Sequence, residues 1–335
     1  PEAVGHLTVM ARDVHPNVRT AVSKALNSID GLEATAVLAG LMRDPDDLVA
    51  RVALNRMARR KDGDRQLAIY IGEPMAPLGD LAIALLSDSK SPSALRLMVD
   101  ALRRGEQRYR RALREGLQNF GRPGLEAVLA GALADERLQV DAEVILGDAG
   151  AAALPLCAAA IASAVDAPPL FVVRAVARMG LDEALPTLDR ADKSGRLAVR
   201  LEVLRGLGKL KAEAVSSRVL TALASPDPAI RAEAATAAGN AGVNAAIPQL
   251  LAALSTHAIP AERVVESLAD LGDPSAEETM LKTFWSRDSG MQARLAVLHA
   301  CKRMHTPACV DLVARAGSHP NADLRSVALR LIAVR

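Results

Sequence analysis

The feature that most constrains this chain is a short pattern that returns about every 31 residues. An apolar residue leads into an arginine at Val18-Arg19, Val49 to Arg51, Val199-Arg200, Ile230-Arg231, Ala293-Arg294 and Leu324-Arg325. The spacing is 32 from Arg19 to Arg51 and 31 both from Arg200 to Arg231 and from Arg294 to Arg325. A fixed period of this length marks a solenoid, in which each unit buries its apolar face only against its neighbours. The two or three globular domains that 335 residues would otherwise suggest are therefore not expected.

The unit from Ala212 to Gly242 shows the local grammar. Ala214, Val215, Val219, Leu220 and Leu223 recur at helical spacing, and Ser225-Pro226-Asp227-Pro228 then makes a turn and a helix start. The second helix runs to Gly239-Asn240-Ala241-Gly242, where glycine suits a left-handed cap. Asp44-Pro45-Asp46-Asp47, His15-Pro16-Asn17 and His319-Pro320-Asn321 repeat the turn, and Gly121, Gly147, Gly180, Gly208 and Gly272 are read as closing further second helices. Weaker second helices fill the gaps near Asp80, Arg110, Gln139 and Arg174. The spacing predicts an all-α, right-handed superhelical α-solenoid of about eleven helix pairs.

Four stretches differ in regularity: 1–60 and 196–335 follow the pattern closely, 91–195 is degenerate, and 61–90 diverges. Within the last, Gly72-Glu73-Pro74-Met75-Ala76-Pro77-Leu78-Gly79 cannot continue a helix and is expected to form a long turn.

These units resemble HEAT repeats, in the short bacterial form named for the phycobilisome-lyase HEAT-like family. The resemblance implies that a turn aspartate and a second-helix arginine bridge successive repeats, a structural role carried here to Asp46, Arg51, Asp227 and Arg231. Asn17, Arg19, Arg200, Arg294 and Arg325 match that pattern in part.

Composition argues against several activities. The scarcity of aromatics, two Tyr, three Phe and one Trp, disfavours base-stacking or sugar-stacking sites. Charge is spread in blocks: 19 basic and 15 acidic residues in 1–122, 5 and 11 in 123–195, 17 and 13 in 196–335. That is not the basic stripe of a general nucleic-acid binder. The apolar stretch from Ala149 to Val165 is interrupted by Pro155, so no membrane span is expected in this segment. None of the three cysteines forms a C-x-x-C pair.

No His-Glu pair is present, which removes the iron site of the HEAT-like hydroxylases. One tryptophan, Trp285, cannot supply the DNA-facing groove of the HEAT-like glycosylases. His299, Cys301, His305 and Cys309 form a Cys/His cluster, but Pro307 breaks the helix between them. Gly206-Leu207-Gly208-Lys209 lacks the strand and the Ser or Thr of a phosphate loop and is read as a helix end. No cofactor, metal or catalytic residue is assigned.

Arginine clustering remains. Arg104, Arg108, Arg110, Arg111 and Arg114 crowd one interhelix turn, with Arg56, Arg59 and Arg60 about two repeats earlier. If second helices line one face, as the resemblance implies, both clusters could share it and receive an acidic partner. The sequence therefore reads as a non-catalytic protein-interaction scaffold or docking domain of cytoplasmic location. A bilin-lyase-type enzyme of the same family is the alternative, and an anion- or nucleic-acid-binding solenoid a second. Pro1 in place of an initiator Met, and the uncapped apolar end from Ala328 to Arg335, suggest a piece of a longer protein whose ends offer a route to self-association.

Overall fold

The computed structural model describes residues 2–333 apart from Met75 and Glu106. Pro1, Val334 and Arg335, on which the expectation of cut ends partly rests, lie outside the described residues, as does Met75 of the Gly72–Gly79 turn. The described residues form twenty-two α-helices joined by turns and short 3₁₀ segments, with no strand among them. Taken in order these are eleven antiparallel pairs, and each predicted second helix falls on an observed one. The chain is an all-α solenoid. It divides into two compact units, one ending at Ala153 and one beginning at Leu154.

Turn chemistry sets the phase of the pairs. Asp46 accepts hydrogen bonds from the Leu48 and Val49 amides, and Asp227 does so from Ala229 and Ile230, each satisfying amide donors that a helix start leaves unpaired. Pro16, Pro92, Pro228 and Pro307 occupy first-turn positions, where the missing N–H costs nothing. Gly180, Gly242 and Gly272 close second helices with φ of 62°, 72° and 67°, conformations that a side chain resists.

The N-terminal unit holds five pairs, from Glu2–Met10 to Gln139–Ala149. Its divergent third pair is a helix pair like the others: Gly63–Ile71 and Gly79–Ser89 joined by a long turn. The chain's two tyrosines hold that turn. The Leu78 amide donates to the Tyr70 hydroxyl at 3.3 Å, and the Tyr109 hydroxyl donates to the Ala76 carbonyl. Gly79 is required here, because a Cβ on it would lie 2.2 Å from the Tyr109 ring.

The C-terminal unit holds six pairs, from Leu154–Ser163 to Ala322–Ala333. Its second helices pack directly on one another, while neighbouring first helices beyond Leu185 touch far less. Small residues permit the close approach. A Cβ on Gly206 would stand 3.0 Å from the Ala177 Cα, one on Gly208 3.2 Å from the Ala237 Cα, and one on Gly239 2.8 Å from the Ser267 Cα. Gly208 closes its helix as expected, but with φ of −63° and not in the left-handed conformation, and it is a packing glycine as well. Gly147, by contrast, lies inside its helix, and Gly150 takes the positive φ of 56°.

Gly239→Leu should therefore destabilise the protein by about 2 kcal/mol or more, since an overpacked interface cannot relax without moving backbone. Gly40→Ala should be neutral or stabilising by up to about 1 kcal/mol, because that position is open, exposed and inside helix Leu32–Leu41. Equal losses in urea unfolding followed by circular dichroism would contradict the close-packing account.

Candidate functional site

Arginines on the second helices do two different jobs, and geometry separates them. Arg19 is the fullest example of the first. Its Nε and Nη2 each donate to one carboxylate oxygen of Asp44 at 2.7 Å, and its Nη1 donates to the Asp13 and Val14 carbonyls at 2.8 and 3.2 Å. The arginine thus clasps its own interhelix turn and reaches into the next repeat. Burial alone would raise the Asp44 pKa, but the hydrogen bonds from Arg19 and the Asp46 amide hold it below the usual carboxylate value. Arg231 clasps Ser225 and Pro226 carbonyls at 2.8 and 2.9 Å and reaches the Ala258 carbonyl of the following turn at 3.1 Å. Arg325 clasps His319 and Pro320, and Arg294 donates to Ser286.

The remaining residues of the expected ladder behave otherwise. Asp46 and Asp227 cap their own helices, and the arginine's carboxylate partner in the N-terminal unit is Asp44, two residues earlier. Arg51 pairs outward with Asp47 at 2.5 Å, and Arg200 makes one long contact to Asp192 at 3.3 Å. Ser225 stands 25 residues after Arg200, as Asp44 stands 25 after Arg19, so the acceptor of the fuller pair is missing there. That offset was the available sequence signal for Asp44.

A second ladder runs from second helix to second helix. In the N-terminal unit the Asp141 carboxylate, 1% exposed, receives Arg110 at 2.8 Å and Arg114 at 2.7 Å. In the C-terminal unit Glu202 receives Arg174 at 3.0 Å and Arg205 at 2.7 Å, and Arg205 continues to Glu233 at 3.2 Å. Nothing in the sequence pattern marked Asp141 or Glu202, because buried partners a full repeat apart are not distinguishable from surface acids by spacing.

These contacts divide the candidate basic surface. Arg110 and Arg114 are committed to Asp141. Arg60 donates to Thr35 and to the Leu26, Ile29 and Gly31 carbonyls, all at 3.0–3.3 Å, and so holds the turn of an earlier repeat. Arg108 is exposed, touches the Pro74 carbonyl at 3.4 Å and lies 5.2 Å from the Tyr109 ring. Arg111 is 91% exposed and, among the described residues, pairs with Glu115 on its own helix. Arg104 is exposed at the end of Pro92–Arg104, and Arg56 and Arg59 make no ion pair among the described residues.

The two clusters are not brought together. Second helices run parallel, and Arg56, Arg59 and Arg60 sit at the carboxyl end of Asp47–Met57 or just beyond it, whereas Arg108 and Arg111 sit at the amino end of Arg110–Asn119. Their partners agree: Arg60 contacts a turn that leads out of a second helix, Arg108 one that leads into a second helix. An eleven-residue helix separates such rims by about 16 Å. Arg108 and Arg111 instead border an open cleft between Gly79–Ser89 and Arg110–Asn119, floored by Ile83, Ala84 and Ala112, with Asp80 and Glu115 beside them.

Cys301 and Cys309 are buried while His299 and His305 are exposed, so the four do not converge. Burial pushes the Cys301 thiol pKa up, with the neighbouring Cys309 adding to it, and burial pushes Cys157 up to about 12. Such thiols are not nucleophiles at neutral pH. No helix among the described residues is by itself long and apolar enough to cross a membrane.

Residues 185–258 match the family of HEAT repeats. No curated protein sequence matches the chain. Among solved structures it is similar to Kap121p, at 11% identity and a TM-score of 0.51 over 99% of this chain and 45% of that one. It thus spans under half the length of Kap121p. Kap121p bound to Ste12p aligns at 11% identity and a TM-score of 0.42, over 99% and 45%. Human deoxyhypusine hydroxylase in complex with glycerol aligns at 14% identity and 0.30, over 99% and 95%. These likenesses concern the fold.

Asp141→Ala should cost about 2–3 kcal/mol, because it strands two arginines against a low-dielectric face. Arg111→Ala should stay within about 0.5 kcal/mol. Acid titration adds a second check. The Asp44 pair contributes stability above the ordinary carboxylate pKa of 3.8 and loses it as pH falls through the lower folded value, so Asp44→Asn should flatten the acid limb of the unfolding curve.

Proposed function

We propose that this chain, a HEAT-repeat protein, is a non-catalytic scaffold that docks a protein partner, with an acidic segment of that partner received at Arg108 and Arg111. The observation that carries the reading is the division of labour among the arginines. Arg60, Arg110 and Arg114 are consumed in holding repeats together, whereas Arg108 and Arg111 face solvent beside an apolar-floored cleft. Their contacts, the exposed Glu115 pair of Arg111 and the 3.4 Å bond of Arg108 to the Pro74 carbonyl, are weak enough for a peptide carboxylate to displace with bidentate hydrogen bonds. The surrounding acids Asp80 and Glu115 make the rim selective, because a bare polyanion would meet repulsion that a mixed-charge segment can avoid. Kap121p, whose fold this chain shares, is a protein that binds Ste12p, which fits a docking role for such an array.

Recovery of partners from the native host on immobilised chain tests the reading. Arg108→Glu with Arg111→Glu should weaken capture of the recovered partner about tenfold or more while the melting temperature stays unchanged. Arg110→Glu should lower the melting temperature, since it removes a partner of buried Asp141. Capture that survives the Arg108/Arg111 reversal would overturn the acidic-segment assignment. Substrate turnover with no recovered protein would overturn the scaffold itself.

A further inference from the structure

Trp285 is the chain's one tryptophan, and 45% of it is exposed at the end of helix Glu277–Trp285. It is not loose. Its ring meets Phe284 edge-on at 4.8 Å, lies 6.3 Å from His319, and carries the Arg315 guanidinium 4.9 Å from its centroid. The ring forms one end of an open groove between Glu277–Trp285 and Pro307–Ala316, floored by Leu281, Ala308 and Leu312. Two neighbouring first helices can leave this gap because, in the same unit, second helices carry the close packing.

The groove has an electrical direction. First helices of successive repeats run parallel, so residues equally far from their helix starts lie level. Glu278 and Asp311 fall one and four residues from those starts, Lys282 and Arg315 five and eight. One end is therefore acidic and the other, beside Trp285, cationic. Among the described residues the charges pair along their own helices, Glu278 to Lys282 at 2.7 Å and Asp311 to Arg315 at 3.6 Å, with every side chain 62–79% exposed. Exposed pairs of this kind are worth about 0–1 kcal/mol, so an occupant can displace them cheaply. From Glu278 to Trp285 is about 10 Å of helix, the length of roughly three extended residues.

We propose that this groove binds a short extended protein segment with an aliphatic centre, a basic residue at one end and an acidic residue at the other. The aliphatic side chains rest on Leu281 and Leu312 and cover the open edge of Trp285. The basic residue lies over Glu278, and the carboxylate sits between Lys282 and Arg315. This site is separate in sequence and chemistry from Arg108 and Arg111, and neither assignment depends on the other.

Trp285 fluorescence in the full chain reads the groove directly. Three end-blocked tetrapeptides serve as probes, each with two central leucines: one ended by lysine and aspartate, one by two lysines, one by two aspartates. The mixed-charge peptide should give a saturable change in Trp285 emission and bind about tenfold more tightly than either like-charged peptide. Replacing its leucines with alanine should abolish the change. Lys282→Glu with Arg315→Glu makes both ends acidic, and preference should pass to the two-lysine peptide while the melting temperature holds. Arg108→Glu with Arg111→Glu should leave all of this intact. No saturable change with any peptide, or equal affinity for all three, would overturn the proposal. So would an emission shift on raising the protein concentration alone, which would assign the groove to a second copy of the chain.

Discussion

The close approach of neighbouring second helices in the C-terminal unit depends on a row of contacts too short for a side chain. Gly206 faces Ala177, Gly208 faces Ala237, and Gly239 faces Ser267, each across a gap that an added Cβ would crowd at 2.8–3.2 Å. Interiors pack at near-crystalline density, so one methyl at such a point has to move backbone. The consequence is asymmetric. A tight second-helix layer draws one side of each repeat together and leaves room between first helices, where the Trp285 groove lies. Packing on one side and an accessible cleft on the other are thus two results of one constraint.

Electrostatics then decides which charges are available to a partner. A repeat array has no single core in which to hide ionic groups, so charges between repeats are partly buried and must be matched there. Asp141 with Arg110 and Arg114, and Glu202 with Arg174 and Arg205, are such matches. Removing one member leaves the other desolvated and unpaired, which is why these residues read as structural. Arg108 and Arg111 lack that commitment. Identical side chains, within six residues of one another, are divided by where the helix turns them: Arg110 and Arg114 meet Asp141, while Arg108 and Arg111 stay at the surface.

Much of the architecture was legible beforehand. The arginine period, the Asp-Pro turns and the left-handed glycines at Gly180, Gly242 and Gly272 are local signals, each acting within one helix end. They place the clear helix pairs, and filling the gaps at the same period places the weaker ones near Asp80, Arg110, Gln139 and Arg174. Even the awkward stretch near Gly72 was readable as a long turn, since two prolines forbid helix there. That Tyr70 and Tyr109 would be the groups to hold it was not, because Tyr109 comes from the next repeat.

What the sequence by itself determined is therefore the repeat: its period, its helix pairs and the solenoid class, because these follow from backbone preferences and apolar spacing within about thirty residues. Only the tertiary structure decided what each charged or small residue is for. Gly147 fell inside its helix and not at the end, Asp44 in place of Asp46 took the arginine, and Arg56, Arg59 and Arg60 fell on the rim opposite Arg108 and Arg111. The last two of those outcomes depend on a partner one repeat away and on which end of a helix faces it. A linear pattern carries the distance between two such residues but not the side on which they meet.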